Sequence, residues 1–417
     1  MKINKIALIF FVFIALKIIA LFFLEGSSST LLDELLVFFL LGFSLLSVLS
    51  YWGKIKFSII FFFIYALTGI LSIFIYKIGG VSQPLAGLVD IILDSKLLLL
   101  ILAFYYLFRK YKNPEKALIQ ISRIVFLLSM VNLIFVFRDS LSNGTGIWGQ
   151  QLIGRLGFWQ PSGIFYTHVE SSWITLLGVY FTAYLYFKNK NKIYLFSTIS
   201  LLIGLMIHFS VKEILVCLFS ATLFFSLRKK DGRAVLIFPL SIFLLIPLFM
   251  FTSVGEAVIS QLSIYTNSAN TDYARVALTQ TSLSIAMDYF PLGSGSGTFA
   301  SSTSYQMGYS NIYKIYGLDN IYGLTENYPN FITDVFWPKV IGQNGFIGFI
   351  FYTLFLLSFY LAVTKKYLAN RALDVALCFY VFTSAIVISF ASTPFSYESF
   401  MVVLAMCIAY GKMKHDI

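Results

Sequence analysis

FSIIFFFIYALTGILSIFIY, residues 57–76, decides the fold. It holds no charged residue and no proline over roughly the twenty positions a helix needs to cross about 30 Å of hydrocarbon. Lipid offers no hydrogen-bond partner to a backbone N–H or C=O, so such a run crosses as a helix or within a closed barrel. Barrel strands alternate apolar and polar side chains, whereas this run is continuously apolar. Working outward, the pattern recurs at 5–24, 31–52, 85–108, 118–137, 171–187, 194–209, 213–227, 234–254, 345–363, 375–392 and 397–410. The whole chain fits: 59% of its 417 residues are hydrophobic and 12% are charged, about half the charge of a soluble domain. The expectation is an all-α integral membrane protein of about twelve transmembrane helices, one polytopic membrane domain over 1–417.

The net charge of +11 points to topology rather than to nucleic acid. With the N-terminus placed in the cytoplasm, the cytoplasmic connections are GKIK at 53–56, RKYKNPEK at 109–116, KNKNK at 188–192, RKKDGR at 228–233 and TKKYLANR at 364–371, with GKMKHDI as the tail. Each is basic, as the positive-inside rule requires, and the remainder of the chain is net acidic. Both termini are therefore expected in the cytoplasm, with no nucleic-acid partner. The first span carries Lys17 and lacks a small-residue cleavage site, so it reads as an uncleaved helix. Cys217, Cys378 and Cys407 all fall inside apolar spans, without metal or redox spacing, and read as core packing.

Two connections are long, 138–170 and 255–344. The second contains Tyr265, Tyr273, Tyr289, Tyr305, Tyr309, Tyr313, Tyr316, Tyr322 and Tyr328, too aromatic for a disordered segment. Within it, TDYARVALTQTSLSIAMDYF at 271–290 predicts a helix: Val276, Leu283 and Met287 recur at helical spacing and Pro291 ends the run.

Cations away from the cytoplasm are few, and each is a candidate anion ligand: Lys77, Lys96, Arg138, Arg155, Lys212, Arg275, Lys314 and Lys339, of which Arg155, Arg275 and Lys314 lie in the long loops and Lys212 in the tight connection HFSVKE. Arginine forks suit phosphate oxygens and lysine supplies a point charge; interfacial snorkelling is the alternative. PLGSGSGTF at 291–299 brings Gly293, Gly295 and Gly297 together, either as a nest of backbone N–H groups for an anion or as a turn after a helix. It lacks the lysine of a P-loop. His168 and Glu170 stand where the first long loop re-enters the membrane and are placed to orient a substrate. Asp334 in NFITDVFWPKVIGQNGFIG is a candidate general base, or the N-cap of a helix starting near Val335. Trp337 and the loop tyrosines suit sugar faces, and equally an interfacial aromatic belt. No histidine–carboxylate cluster has metal-ligand spacing, so neither a metal nor a cofactor is expected.

Three segments resemble the bacterial O-antigen polymerase (Wzy) and O-antigen ligase superfamily. GRLGFWQPSGIFYTHVESSWITLLG at 154–178 is similar to that family's first large periplasmic loop returning to a helix. ARVALTQTSLSIAMDYFPLGSGSGTFAS at 274–301 is similar to its arginine, helix and Pro-Leu-Gly-x-Gly turn. TDVFWPKVIGQNGFIG at 333–348 is similar to the stretch closing its second periplasmic loop.

The resemblance implies a GT-C-like membrane glycosyltransferase of the bacterial inner membrane, active at its periplasmic face without metal or sugar nucleotide. Its substrate would be an undecaprenyl-pyrophosphate-linked glycan, with membrane lipid around it and a chain-length regulator and a flippase as candidate partners. It implies pyrophosphate binding by Arg275 and Arg155. Many members carry Ser-Arg after the helix corresponding to 194–209; here Ser210-Val211-Lys212 keeps the charge and loses the fork. Ligases carry a histidine where Asp334 stands, eleven positions before Gly345, which favours a polymerase of lipid-linked repeat units over a ligase to lipid A-core. A lipid-linked glycan transporter is the competing class; it would show midspan charges and repeated halves.

Overall fold

The computed structural model describes residues 5–23, 29–75, 84–155, 158–208, 211–229 and 273–413. The span read at 234–254 and the first part of the second loop, 255–272 with Tyr265, lie outside the described residues. The described chain is mostly helical, consistent with an all-α membrane protein. Its elements run α1 (Lys5–Phe23), α2 (Ser29–Ile75), α3 (Pro84–Lys110), α4 (Pro114–Ser140), a hairpin of β1 (Ile153–Arg155) and β2 (Phe158–Gln160), α5 (His168–Asn189), α6 (Lys192–Ile207), α7 (Val211–Lys229), α8 (Ala274–Asp288), the short α9 (Thr303–Gln306) and α10 (Asn311–Ile315), a 3₁₀ turn at Leu318–Asn320, α11 (Phe336–Asn370), α12 (Leu373–Ile388) and α13 (Glu398–Met413). Among the described residues, Val37–Ile75, Pro114–Ser140 and Phe336–Asn370 are long and apolar enough to cross a membrane, and several shorter helices are apolar throughout. Less than half of each long segment is covered by protein. Phe38, Leu49, Phe63 and Ile134 stand 64–81% exposed, a surface that hydrocarbon tolerates and water does not.

Polar punctuation sets the ends of several helices. Asn113 caps α4 by accepting from Lys116 N–H, with Pro114 at the first helical position. Thr167 caps α5 by accepting from Glu170 N–H. Two of the basic connections predicted from sequence end their helices in left-handed residues, Lys190 after α5 and Arg371 after α11.

One connection differs from expectation. GKIK at 53–56 is not a loop: α2 continues through it and departs from helical geometry only at Tyr51 (φ −132°, ψ 23°). The direction of the chain nevertheless reverses there. Ser44 hydrogen-bonds Leu99 O and Tyr51 packs on Tyr105, so partners on α3 first climb. They then fall, to Asp94 beside Tyr65 and to Gly87 beside Ile73. The two arms of α2 therefore run oppositely along α3.

The second loop, where described, is folded around its own small core of Leu278, Ile285, Phe299, Tyr313, Leu324 and Ile332. The predicted helix in it exists as α8, but its buried face is Ala274, Ala277, Leu278, Ser282, Ile285 and Ala286. Leu283 and Met287, whose spacing predicted the helix, are exposed. The alanines let α8 approach α11 closely, a gain that spacing of large apolar residues does not reveal.

Candidate functional site

Two groups of side chains meet at one end of the bundle. The first is built on the opening turns of α5 and α7. Asp139, at the end of α4, accepts from the backbone N–H groups of Ser162 and Gly163, and Asn132 accepts from Ile164 N–H. These bonds pin the first long loop and so fix where α5 starts. In its first turn His168 is half-buried, and Glu170 accepts from Ser399 Oγ at 3.5 Å. One turn on, Trp173 Nε1 and Ser172 Oγ donate to Glu213 Oε1 at 3.0 and 3.3 Å. Glu213 is fully buried at the start of α7. It sits 3.8 Å from Lys212 Nζ, which also donates to Ser392 Oγ at 3.2 Å.

The second group comes from the second loop. Arg275, in the first turn of α8, closes Nε and Nη2 on Asp334 Oδ2 at 2.9 and 2.8 Å. The two are 59 positions apart and both partly exposed. The small core beneath α8 holds them together: Ala274 and Ala277 lie under Arg275, and Ile332 and Val335 flank Asp334. The helix after Asp334 takes Val335 as its N-cap, with no side-chain cap bond, so the carboxylate faces Arg275 rather than the helix end.

Tyr397, just ahead of α13, joins the groups. Its ring meets Trp173 edge-on at 4.9 Å. The carboxylates of Glu170 and Asp334 and the guanidinium of Arg275 all lie close enough to act on its phenol. Arg275, Asp334, Glu170 and Lys212 thus lie around one aromatic pair, Trp173 and Tyr397.

The other sequence candidates sit elsewhere or are engaged. Arg155 pairs with Phe158 through its backbone; its side chain lies outside the described residues. Gly293, Gly295 and Gly297 all take positive φ (76°, 101° and 78°), but their amides do not form an open nest. Gly293 N–H donates to Tyr289 O, Ser294 N–H to Gly342 O, Gly295 N–H to Gln343 O and Gly297 N–H to Asp90 Oδ2. An anion there would have to displace all four. The turn works as a lock instead. It fits against the break in α11 at Gly345 (φ 60°, ψ −165°), where a Cβ would meet Pro291 O at 2.3 Å. Trp337 donates Nε1 to Ser389 Oγ at 2.9 Å and packs among Phe336, Phe349 and Phe390, against the edge of the main core.

Sequence reasoning missed Tyr397, Trp173 and Glu213. Glu213 carried a usable signal, an acid at the mouth of an apolar span beside a lysine. The aromatics carried none. It also missed that Lys339 is not an interfacial cation: it is 10% exposed and pairs with Asp94 at 2.6 Å and Asp90 at 3.2 Å, while Tyr65 donates to the other oxygen of Asp94 at 2.6 Å. Two acids one turn apart in α3 were the signal for that cluster. No protein-family model matches this chain, and no curated protein matches it.

Proposed function

We propose that this protein polymerises lipid-pyrophosphate-linked oligosaccharide repeat units into a surface polysaccharide, as a GT-C-like glycosyltransferase of about twelve spans in the bacterial inner membrane. Both termini lie in the cytoplasm and the two long loops in the periplasm. The observation that carries this reading is the meeting of Arg275 with Asp334 beside Tyr397 and Glu170, with Lys212 joined through Glu213 and Trp173. Two cations, three carboxylates and aromatic faces suit transfer from a pyrophosphate donor to a sugar hydroxyl.

In the proposed reaction the donor pyrophosphate takes over the Arg275 fork and draws on the charge of Lys212. Asp334, released from the ion pair, orients an acceptor hydroxyl and takes its proton. The hydroxyl oxygen bonds to the anomeric carbon as the carbon–oxygen bond to the pyrophosphate breaks, and the lipid pyrophosphate leaves with its electron pair. The cations stabilise the charge that develops on it. The departing lipid pyrophosphate supplies the driving force.

The test is a deletion strain complemented with wild type, Arg275→Ala or Asp334→Ala, with surface polysaccharide resolved on gels. Core carrying one repeat unit and no ladder is expected for both variants. Accumulation of lipid-linked polymer with no repeat on the core identifies a ligase instead. A normal ladder from both variants at normal protein levels removes the site assignment.

A further inference from the structure

The described tyrosines of the second loop do different things. Tyr313 is buried in the small core, Tyr309 donates to Leu324 O at 2.6 Å, and Tyr316 donates to Asp288 at 2.6 Å. Tyr322 and Tyr328 behave otherwise. Their rings stack on each other, 4.9 Å apart and 29° from parallel, yet stand 69% and 39% exposed. Such a pair is normally covered, because aromatic faces are the largest apolar surfaces a side chain offers.

The pair is rigidly built. Phe331 lies beneath it, edge-on to Tyr322 at 5.9 Å and to Tyr328 at 6.4 Å. Phe331 N–H donates to Gly323 O at 2.9 Å. Gly323 takes φ 87°, and a Cβ there would stand 2.0 Å from Phe331 Cδ2. Tyr328 N–H closes on both oxygens of Thr325 at 3.1 Å, and Leu324 anchors the turn in the core. A pair held this way loses little freedom when something stacks on it.

Its rim names the ligand class. Glu326, Asn327 and Asn330 are exposed around the rings, and Lys314 is paired with Glu326 at 3.7 Å. Amides and a carboxylate offer donors and acceptors to hydroxyls, while the net charge does not favour an anionic headgroup. A pyranose ring has the matching anatomy, apolar C–H faces edged with hydroxyls. The placement fits too: Phe331 O accepts from Asp334 N–H at 3.2 Å, and three residues of chain span at most about 11 Å.

We propose that Tyr322 and Tyr328 form a glycan-stacking platform, separate from the reacting groups, that holds the growing chain next to Asp334. This rests on the polymerase reading above. In the same strain, Tyr322→Ala/Tyr328→Ala is expected to shorten the modal chain about twofold or more while short ladders persist, and Tyr322→Phe/Tyr328→Phe, which keeps the rings, to restore length. Saturation-transfer NMR on the full chain in nanodiscs, with polysaccharide released from the same cells by mild acid as probe, should show transfer to sugar protons that the alanine pair loses.

Wild-type lengths from the alanine pair, with the Arg275→Ala ladder lost, overturn the platform alone. Complete loss of the ladder at normal protein levels assigns the rings to chemistry and overturns it as well. Shortened chains without saturation transfer mean the rings dock a partner protein, which also overturns it. Accumulation of lipid-linked polymer with no repeat on the core removes the polymerase reading, and the platform with it.

Discussion

Arg275 places two of its donors on a single oxygen of Asp334, and that asymmetry has a chemical consequence. A guanidinium so held can exchange toward a phosphate without rotating away, because the fork is planar and already oriented. Lysine keeps the charge but not the fork. Arg275→Lys is therefore expected to lower consumption of lipid-linked repeat units in membrane vesicles by about tenfold or more, the equivalent of about 1.4 kcal/mol; an unchanged rate would mean that charge alone suffices. Arg275 and Asp334 were each legible in the sequence as chemistry-bearing residues in polar loops. Their pairing was not, because the core that joins them is made of scattered alanines and isoleucines. Tyr397 is one of 26 tyrosines, and nothing in its local sequence separates it from an interfacial aromatic.

Helices were legible where their apolar runs are long, and illegible where contact with another element decides their geometry. The break in α11 is an example: NGFIG at 344–348 reads as a helix start, and the structure uses Gly345 as a joint into which the Pro291–Gly293 turn is wedged. Gly345→Ala forces a left-handed backbone on an alanine, on the order of 1–3 kcal/mol, and adds the collision with Pro291 O. It is expected to lower the unfolding temperature sharply in detergent, whereas Gly42→Ala, with nothing within 4 Å of its new methyl, should be neutral or slightly stabilising. The Lys339 cluster is a second joint, tying α3 to α11 and, through Asp90, to the glycine turn. Lys339→Met alone leaves two buried carboxylates without their cation and is expected to destabilise by about 3–5 kcal/mol. Adding Asp90→Asn and Asp94→Leu should recover much of that loss in the same thermal assay. Equal damage from the single and triple variants would show that packing, not charge, dominates there.

At the scale of the whole molecule, the two long loops belong to the same side for a reason independent of charge counting. Glu170 closes the first loop and Asp334 lies near the end of the second, yet both act on Tyr397, and Ser399 hydrogen-bonds Glu170. Lys192 opens α6 beyond the far end of α5, whose 22 residues extend about 33 Å. Geometry therefore fixes which connections share a face, and the positive-inside rule supplies only which face is the cytoplasm. That remaining choice is open to a direct measurement. With the three native cysteines replaced by alanine, Gln151→Cys in the first loop and Lys192→Cys at the start of α6 both present exposed positions. A membrane-impermeant maleimide applied to cells with a permeabilised outer membrane should label the first and not the second, and lysis of the inner membrane should expose the second. The reverse pattern would put Arg275 and Asp334 in the cytoplasm, away from any periplasmic lipid-linked acceptor, and polymerisation at the outer face would fall with it. Labelling of both in unlysed cells would instead break the geometric argument, since it requires the first loop and the α5–α6 turn to lie on the same side of the membrane.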